Sequence, residues 1–301
     1  MKLIALIVAL GIERLATRLL QLRELRWFDP YFDLAVRVAS RASGVLRWLV
    51  VAAFVALLLL PVWLVSRALL GDDAGWDLDY LLFAVLVLFF CLGPRDLGSE
   101  VERYRAALDR GDEEEARRVL TAMAESEQPH GRGIDVVEEA VFVQATNRIF
   151  AVVLWFVVLG PVGAWLFRVN DLFRRRLAFE VSRGVEGVEP VVAAVDALHG
   201  VLVWVPARLA ALGYALGGGF DEAMQAWRNL RRPDEERSDR EPFWRTSERL
   251  VASVGKAAMA GVLAQPSNSS AAAKNALTLV RRTLFIWITV VAALTVTGWA
   301  V

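Results

Sequence analysis

One cysteine and two histidines in 301 residues leave little room for thiol or soft-metal chemistry. Cys91 stands alone, so no intrachain disulfide forms, and its apolar surroundings select no compartment. Cys91, His130 and His199 are too few for a structural zinc site, and no His-Glu-x-x-His helix occurs. A phosphate loop is missing as well: Gly255-Lys256 is followed by Ala257 rather than Ser or Thr, and Leu250 stands where the leading glycine belongs. Gly131 and Gly133 do not extend to a dinucleotide fingerprint, because Val136 occupies the third position. No Gly-x-Ser-x-Gly elbow is found. Net charge is lacking too. The 34 basic and 34 acidic residues cancel, which excludes a nucleic acid as the expected partner. No metal, no cofactor and no catalytic residue is assigned from these patterns.

What the chain has in abundance is apolar sequence. Hydrophobic residues make up 56 %, with 11 Trp and 15 Phe, while the 23 % that are charged crowd into a few stretches. Such segregation suits membrane spans alternating with aqueous loops. The run Trp48–Val65 carries no charge over about 18 residues, near the 20 or so that a bilayer requires. Leu78–Gly93, Ile149–Val169 and Thr283–Val301 are further runs of this kind. The first apolar stretch, Leu3–Ile12, is shorter and ends at Glu13 and Arg14. With no small-residue cleavage site behind it, it reads as a half-inserted helix rather than a removable leader.

Orientation follows from the flanking charges. Arg14 to Arg47 holds seven arginines and three acids, whereas Gly71–Asp77 is short and acidic. The helix from Trp48 therefore runs outward and that from Leu78 inward. Trp27, Phe28, Tyr31 and Phe32 suit the headgroup level. Ile149–Val169 raises a difficulty: a single crossing would put Arg174, Arg175 and Arg176 outside. The break Gly160-Pro161-Val162-Gly163 offers a re-entrant turn as the alternative.

The expected fold is all-α: a polytopic transmembrane helical protein with a cytoplasmic helical hairpin and amphipathic interfacial helices. Its parts are residues 1–93 (a half-helix and two spans), 94–148 (a cytoplasmic helical domain), 149–219 (an interrupted membrane region), 220–282 (cytoplasmic and interfacial helices) and 283–301 (a last span). Asp96–Leu108 and Asp112–Met123 form the hairpin, with Asp112 as N-cap. Arg249–Leu263 repeats apolar residues at helical spacing and suits an interface. Arg148 sits where an anchoring arginine belongs.

Ionisable and amide residues beside or within apolar runs define a candidate polar pocket: Glu13, Glu139, Asn170, Asp171, Asp196, His199 and Arg208. Intramembrane charge is costly, so each needs a partner or a watery cavity. Asp196 and His199, three apart, share a helix face.

Asn147-Arg148-Ile149-Phe150-Ala151-Val152, then Trp155-Phe156 and Leu159-Gly160-Pro161-Val162-Gly163-Ala164, resemble the AmpE family of inner-membrane proteins. So do Leu10-Gly11-Ile12-Glu13-Arg14-Leu15, Leu108-Asp109-Arg110-Gly111-Asp112 and Val205-Pro206-Ala207-Arg208-Leu209. The resemblance implies a multi-pass protein of the bacterial inner membrane that regulates β-lactamase induction through cell-wall recycling, without catalysis. Its implied partners are the lipid bilayer and a cytoplasmic protein or a cell-wall-derived ligand. The wider superfamily also holds CobD (CbiB), a membrane enzyme that joins an aminopropanol unit to cobyric acid with ATP. That resemblance implies a second reading, an amide-forming enzyme using ATP and magnesium. Two of its signatures differ here. Asn170-Asp171-Leu172-Phe173 replaces Asn-Thr-Leu-Asp, and His199, Gly200 and Val203 stand where the enzyme has two aspartates and an asparagine.

Overall fold

The computed structural model of the chain describes residues 3–9, 28–70, 78–92, 97–124, 133–185, 187–230, 243–263 and 266–296. Its helices are α1 (Asp29–Arg41), α2 (Gly44–Leu69), α3 (Leu78–Cys91), α4 (Leu97–Asp109), α5 (Glu113–Ala124), α6 (Ile134–Ala145), a π-turn (Thr146–Phe150), α7 (Ala151–Ser182), α8 (Glu189–Gly217), α9 (Phe220–Leu230), α10 (Phe243–Ala260) and α11 (Ser269–Val296). No strand occurs among the described residues. Among the described residues four helices are long and apolar enough to cross a membrane: Gly44–Leu69, Ile134–Ser182, Glu189–Gly217 and Ser269–Val296. The protein is an all-α polytopic membrane protein, as expected. Two compact units divide it: Met1–Pro94 with Ala151–Leu202 and Leu294–Val301, and Arg95–Phe150 with Val203–Ala293.

In the first unit, α2 is apolar on every side, and Val45, Leu49, Leu57, Trp63 and Leu64 remain exposed on it. A helix that offers apolar side chains all round is stable where lipid replaces water. Pro61 is accommodated within it. α1 begins with Pro30 in its first turn, where a missing N–H costs nothing. Its end is tied to the start of α2, because Arg47 donates to the carbonyls of Ala39 and Ala42. Its other end lies farther along α2, where the Tyr31 hydroxyl donates to the Phe54 carbonyl at 2.8 Å.

The aromatics there pack within the unit. Phe28 and Phe32 are buried. Phe28 packs on Trp165, and Phe32 stacks on Phe173 with ring centroids 5.0 Å apart. Trp27 lies outside the described residues. An arm of α7 covers the rings, and local spacing in α1 gives no sign of that arm.

α7 turns a corner at Gly160, whose φ of 66° and ψ of −154° belong to a region essentially reserved for glycine. Pro161 reinforces the break, since a residue before proline avoids the helical region. A Cβ on Gly163 would lie 2.2 Å from the Trp155 carbonyl oxygen. Along a straight helix those residues would be about 12 Å apart. The first turn after the corner therefore lies against the last turn before it.

The second unit contains the hairpin α4–α5, within a residue of its expected bounds. Gly111 (φ +73°) closes α4 with bonds from Asp112 N–H to Ala107 and from Gly111 N–H to Leu108, a Schellman cap. The Asp112 carboxylate then accepts from the Glu115 N–H at 3.0 Å, which is the expected N-cap. The stripe Leu250, Val251, Val254 and Ala258 of α10 is buried in this unit's core, while Val262 is exposed. Gly255 serves packing rather than phosphate binding: a Cβ there would meet the Phe142 ring at 2.7 Å.

Candidate functional site

α7 places Phe167, Asn170, Asp171 and Arg174 at positions i, i+3, i+4 and i+7, so they form one stripe along the arm that follows the corner. Arg168 and Arg175 flank that stripe and turn onto it. Arg168 Nη1 donates to Asp171 Oδ2 at 2.9 Å, and Arg175 Nε donates to the same oxygen at 3.0 Å. α8 brings His199 onto the stripe, its ring 5.6 Å from that of Phe167. Asp171 also lies in the electrostatic field of His199 and Arg174.

The site is nearly closed to solvent. Arg168 is 3 % exposed, Asn170 0 %, Asp171 2 % and His199 1 %. Within this closed volume, Asn170 Oδ1 and Nδ2, Asp171 Oδ1 and both ring nitrogens of His199 have no hydrogen-bond partner among the described residues. Leaving one such group unsatisfied in a protein interior costs about 1–3 kcal/mol. Three neighbouring side chains in that condition mark a place built for something polar. Asn170 offers two donors and an acceptor, Asp171 an anionic acceptor, and a neutral His199 one donor and one acceptor. Together with Arg168 and Arg175 they suit a ligand carrying both an anionic group and an N–H or O–H donor. Among the described residues no group of three or more His, Cys, Asp or Glu is placed to hold a metal ion.

The structure brings together three of the seven expected pocket residues: Asn170, Asp171 and His199. Asp196 lies one turn before His199 on α8, half-buried and partnered. Glu139 is exposed on α6, where the neighbouring Glu138 is the buried acid. Arg208 is half-buried, donates to the Trp204 carbonyl and stacks its guanidinium 3.9 Å above the Trp204 ring. Glu13 lies outside the described residues.

Sequence reasoning missed Arg168, Arg174 and Arg175. Their spacing around Asp171 (three before, three and four after) was the available signal. Arg148 needs a correction. It is 7 % exposed, bonded to Glu100 at 2.7 Å and to Gln144 at 2.7 Å. A π-turn over Thr146–Phe150 re-aims the helix at that point, so the arginine points into the second unit rather than anchoring a span.

A multi-pass helical membrane protein with a closed polar site is the class these features define. Comparison with known proteins gives the family. The family model described as CobD/Cbib protein matches residues 6–264, and the chain belongs to that family. It is 31 % identical over 225 residues to the cobalamin biosynthesis protein CobD of Stutzerimonas stutzeri, covering 74 % of this chain and 66 % of that one. It is 31 % identical over 180 residues to the protein of that name from Chromobacterium violaceum, covering 59 % and 55 %. The chain thus spans just under two thirds and just over half of these relatives' lengths. No solved structure matches.

These matches overturn the expected AmpE-type role. Both relatives carry the cobalamin-biosynthesis name and the family model that of CobD/Cbib, and none points to β-lactamase induction, antibiotic resistance or cell-wall signalling. The error has a physical source. The Gly160–Gly163 corner that carried the resemblance is a backbone device, and a corner specifies no ligand.

Proposed function

We propose that the protein is a membrane enzyme of cobalamin biosynthesis that joins a small amine to a corrinoid carboxylate in an ATP-dependent step, in the bacterial inner membrane. ATP transfers a phosphoryl group to one oxygen of the carboxylate, releasing ADP, and that oxygen leaves with the phosphate when the amine attacks the carbonyl carbon. The amine nitrogen then forms the C–N bond and gives up a proton.

The unpartnered polar atoms of Asn170, Asp171 and His199 carry this reading. The free Oδ1 of Asp171 accepts from the amine and orients it. A neutral His199, held against Phe167, takes the proton that the nitrogen loses on attack. Arg168 and Arg175, fixed by Asp171 Oδ2, face the anionic end of a substrate, and the Asn170 amide supplies the remaining donor and acceptor. Exclusion of water from so closed a site strengthens each of these contacts and protects an activated carboxyl from hydrolysis.

The test is complementation. Expressed in a bacterium deleted for its own CobD and dependent on added cobalamin, the full chain restores growth from a corrinoid acid. The variants Asp171→Asn and His199→Ala, present in the membrane at the same level, do not. Growth by both variants, or failure of the well-expressed parent chain, would count against the proposal.

A further inference from the structure

We propose that the arm of α7 that follows Gly160 returns through the membrane from a corner near the outer face to the inner face, so that the polar site is entered from the inner face. The neighbours of α7 within its own unit serve as depth markers. α2 runs outward and α3 returns inward, by the charges that flank them. The corner lies at the outer mouth of α3: a Cβ on Gly160 would be 3.3 Å from the hydroxyl of Tyr80, the third residue of that helix. Farther along, the Trp165 indole donates to the Leu58 carbonyl, near the middle of α2, at 2.9 Å.

Beyond that, Phe173 stacks on Phe32, whose neighbour Tyr31 holds the Phe54 carbonyl. Arg176 then pairs with Asp33 at 2.8 Å, on the helix whose end Arg47 ties to the inner start of α2. From Gly160 to Arg176 the arm thus descends from the outer mouth toward the inner face. Pro161–Ser182 is 22 residues, about 33 Å, enough for a hydrocarbon core of roughly 30 Å.

An arm that returns inward removes the conflict with the charge rule, because Arg174, Arg175 and Arg176 come back to the inner side. It also places Asn170 and Asp171 between the levels of Trp165 and Phe173, with the arginine-rich end of the arm as the approach. A nucleotide or other anionic solute from the cytoplasm meets those arginines first. This sidedness does not rest on the proposed reaction.

Labelling decides it. In the full chain carrying Cys91→Ser, single cysteines replace Leu70, exposed at the outer end of α2, and Val185, exposed just after α7. A membrane-impermeant maleimide applied to intact cells labels Leu70→Cys and leaves Val185→Cys untouched, while inside-out vesicles show the reverse. Labelling of Val185→Cys on intact cells overturns the inward return. A second measurement needs no cysteine: a protease recognition sequence inserted after Gly184 is cut in inside-out vesicles and spared in spheroplasts. Cleavage in spheroplasts overturns the proposal equally.

Discussion

Arg148 and Glu100 stand 48 positions apart in the chain and meet at 2.7 Å inside the protein, with 6 % and 7 % of their side chains exposed. A pair this deep gains little over two apolar residues, yet breaking it leaves a lone buried charge at a cost of about 3–5 kcal/mol. Glu100→Gln and Arg148→Met are each expected to lower the thermal midpoint in detergent sharply. The double variant recovers much of that loss. Additive losses in the double-mutant cycle would show that the two side chains are not coupled.

The corner makes its own demand on sequence. Gly160→Ala forces an L side chain into a glycine-only conformation, at roughly 1–3 kcal/mol. Gly163→Ala pushes a methyl into the Trp155 backbone carbonyl, which has no rotamer to yield. Both variants are expected to lose folded yield and thermal stability. Gly184→Ala, also at positive φ but with open space around it, loses less. Equal tolerance at all three positions, read by size-exclusion profile and unfolding midpoint, would contradict the corner.

In the second unit α8 and α11 approach closely at Gly213, where a Cβ would lie 2.5 Å from the Thr283 methyl. Small residues at such crossings let membrane helices pack backbone to backbone. Gly213→Ala is expected to destabilise the protein, and Thr283→Ser, which removes that methyl, is expected to restore part of the loss. A second substitution that makes matters worse would place the clash elsewhere.

How much of this was legible in the sequence depends on the range of the interaction. The α4–α5 hairpin was readable because its determinants are local: Gly111 supplies positive φ and Asp112 the cap. Apolar runs gave the long helices for the same reason. The polar site was half visible. Asn170, Asp171 and His199 stood out as polar groups in apolar surroundings, but the arginines around Asp171 looked like a charged helix end. Only the packing of that arm on α1 and α2 shows that this end is enclosed. The Arg148–Glu100 pair was unreadable for a like reason: its partner comes from another helix, and a π-turn shifts the face on which Arg148 lies.

A site held ready for a ligand is costly to the free protein. Asn170→Leu and His199→Phe remove buried groups that have no partner among the described residues, so each is expected to raise the thermal midpoint of the ligand-free protein while abolishing complementation. A fall in stability would mean that these groups hold the fold together instead.

Purified chain in lipid nanodiscs, given a corrinoid acid, a small amino alcohol and ATP with magnesium, tests the proposed reaction most directly by mass spectrometry of the corrinoid. The expected result is a new corrinoid heavier by the amine less one water, formed by the parent chain and not by Asp171→Asn. An unchanged corrinoid mass with folded, membrane-embedded parent protein would contradict the account.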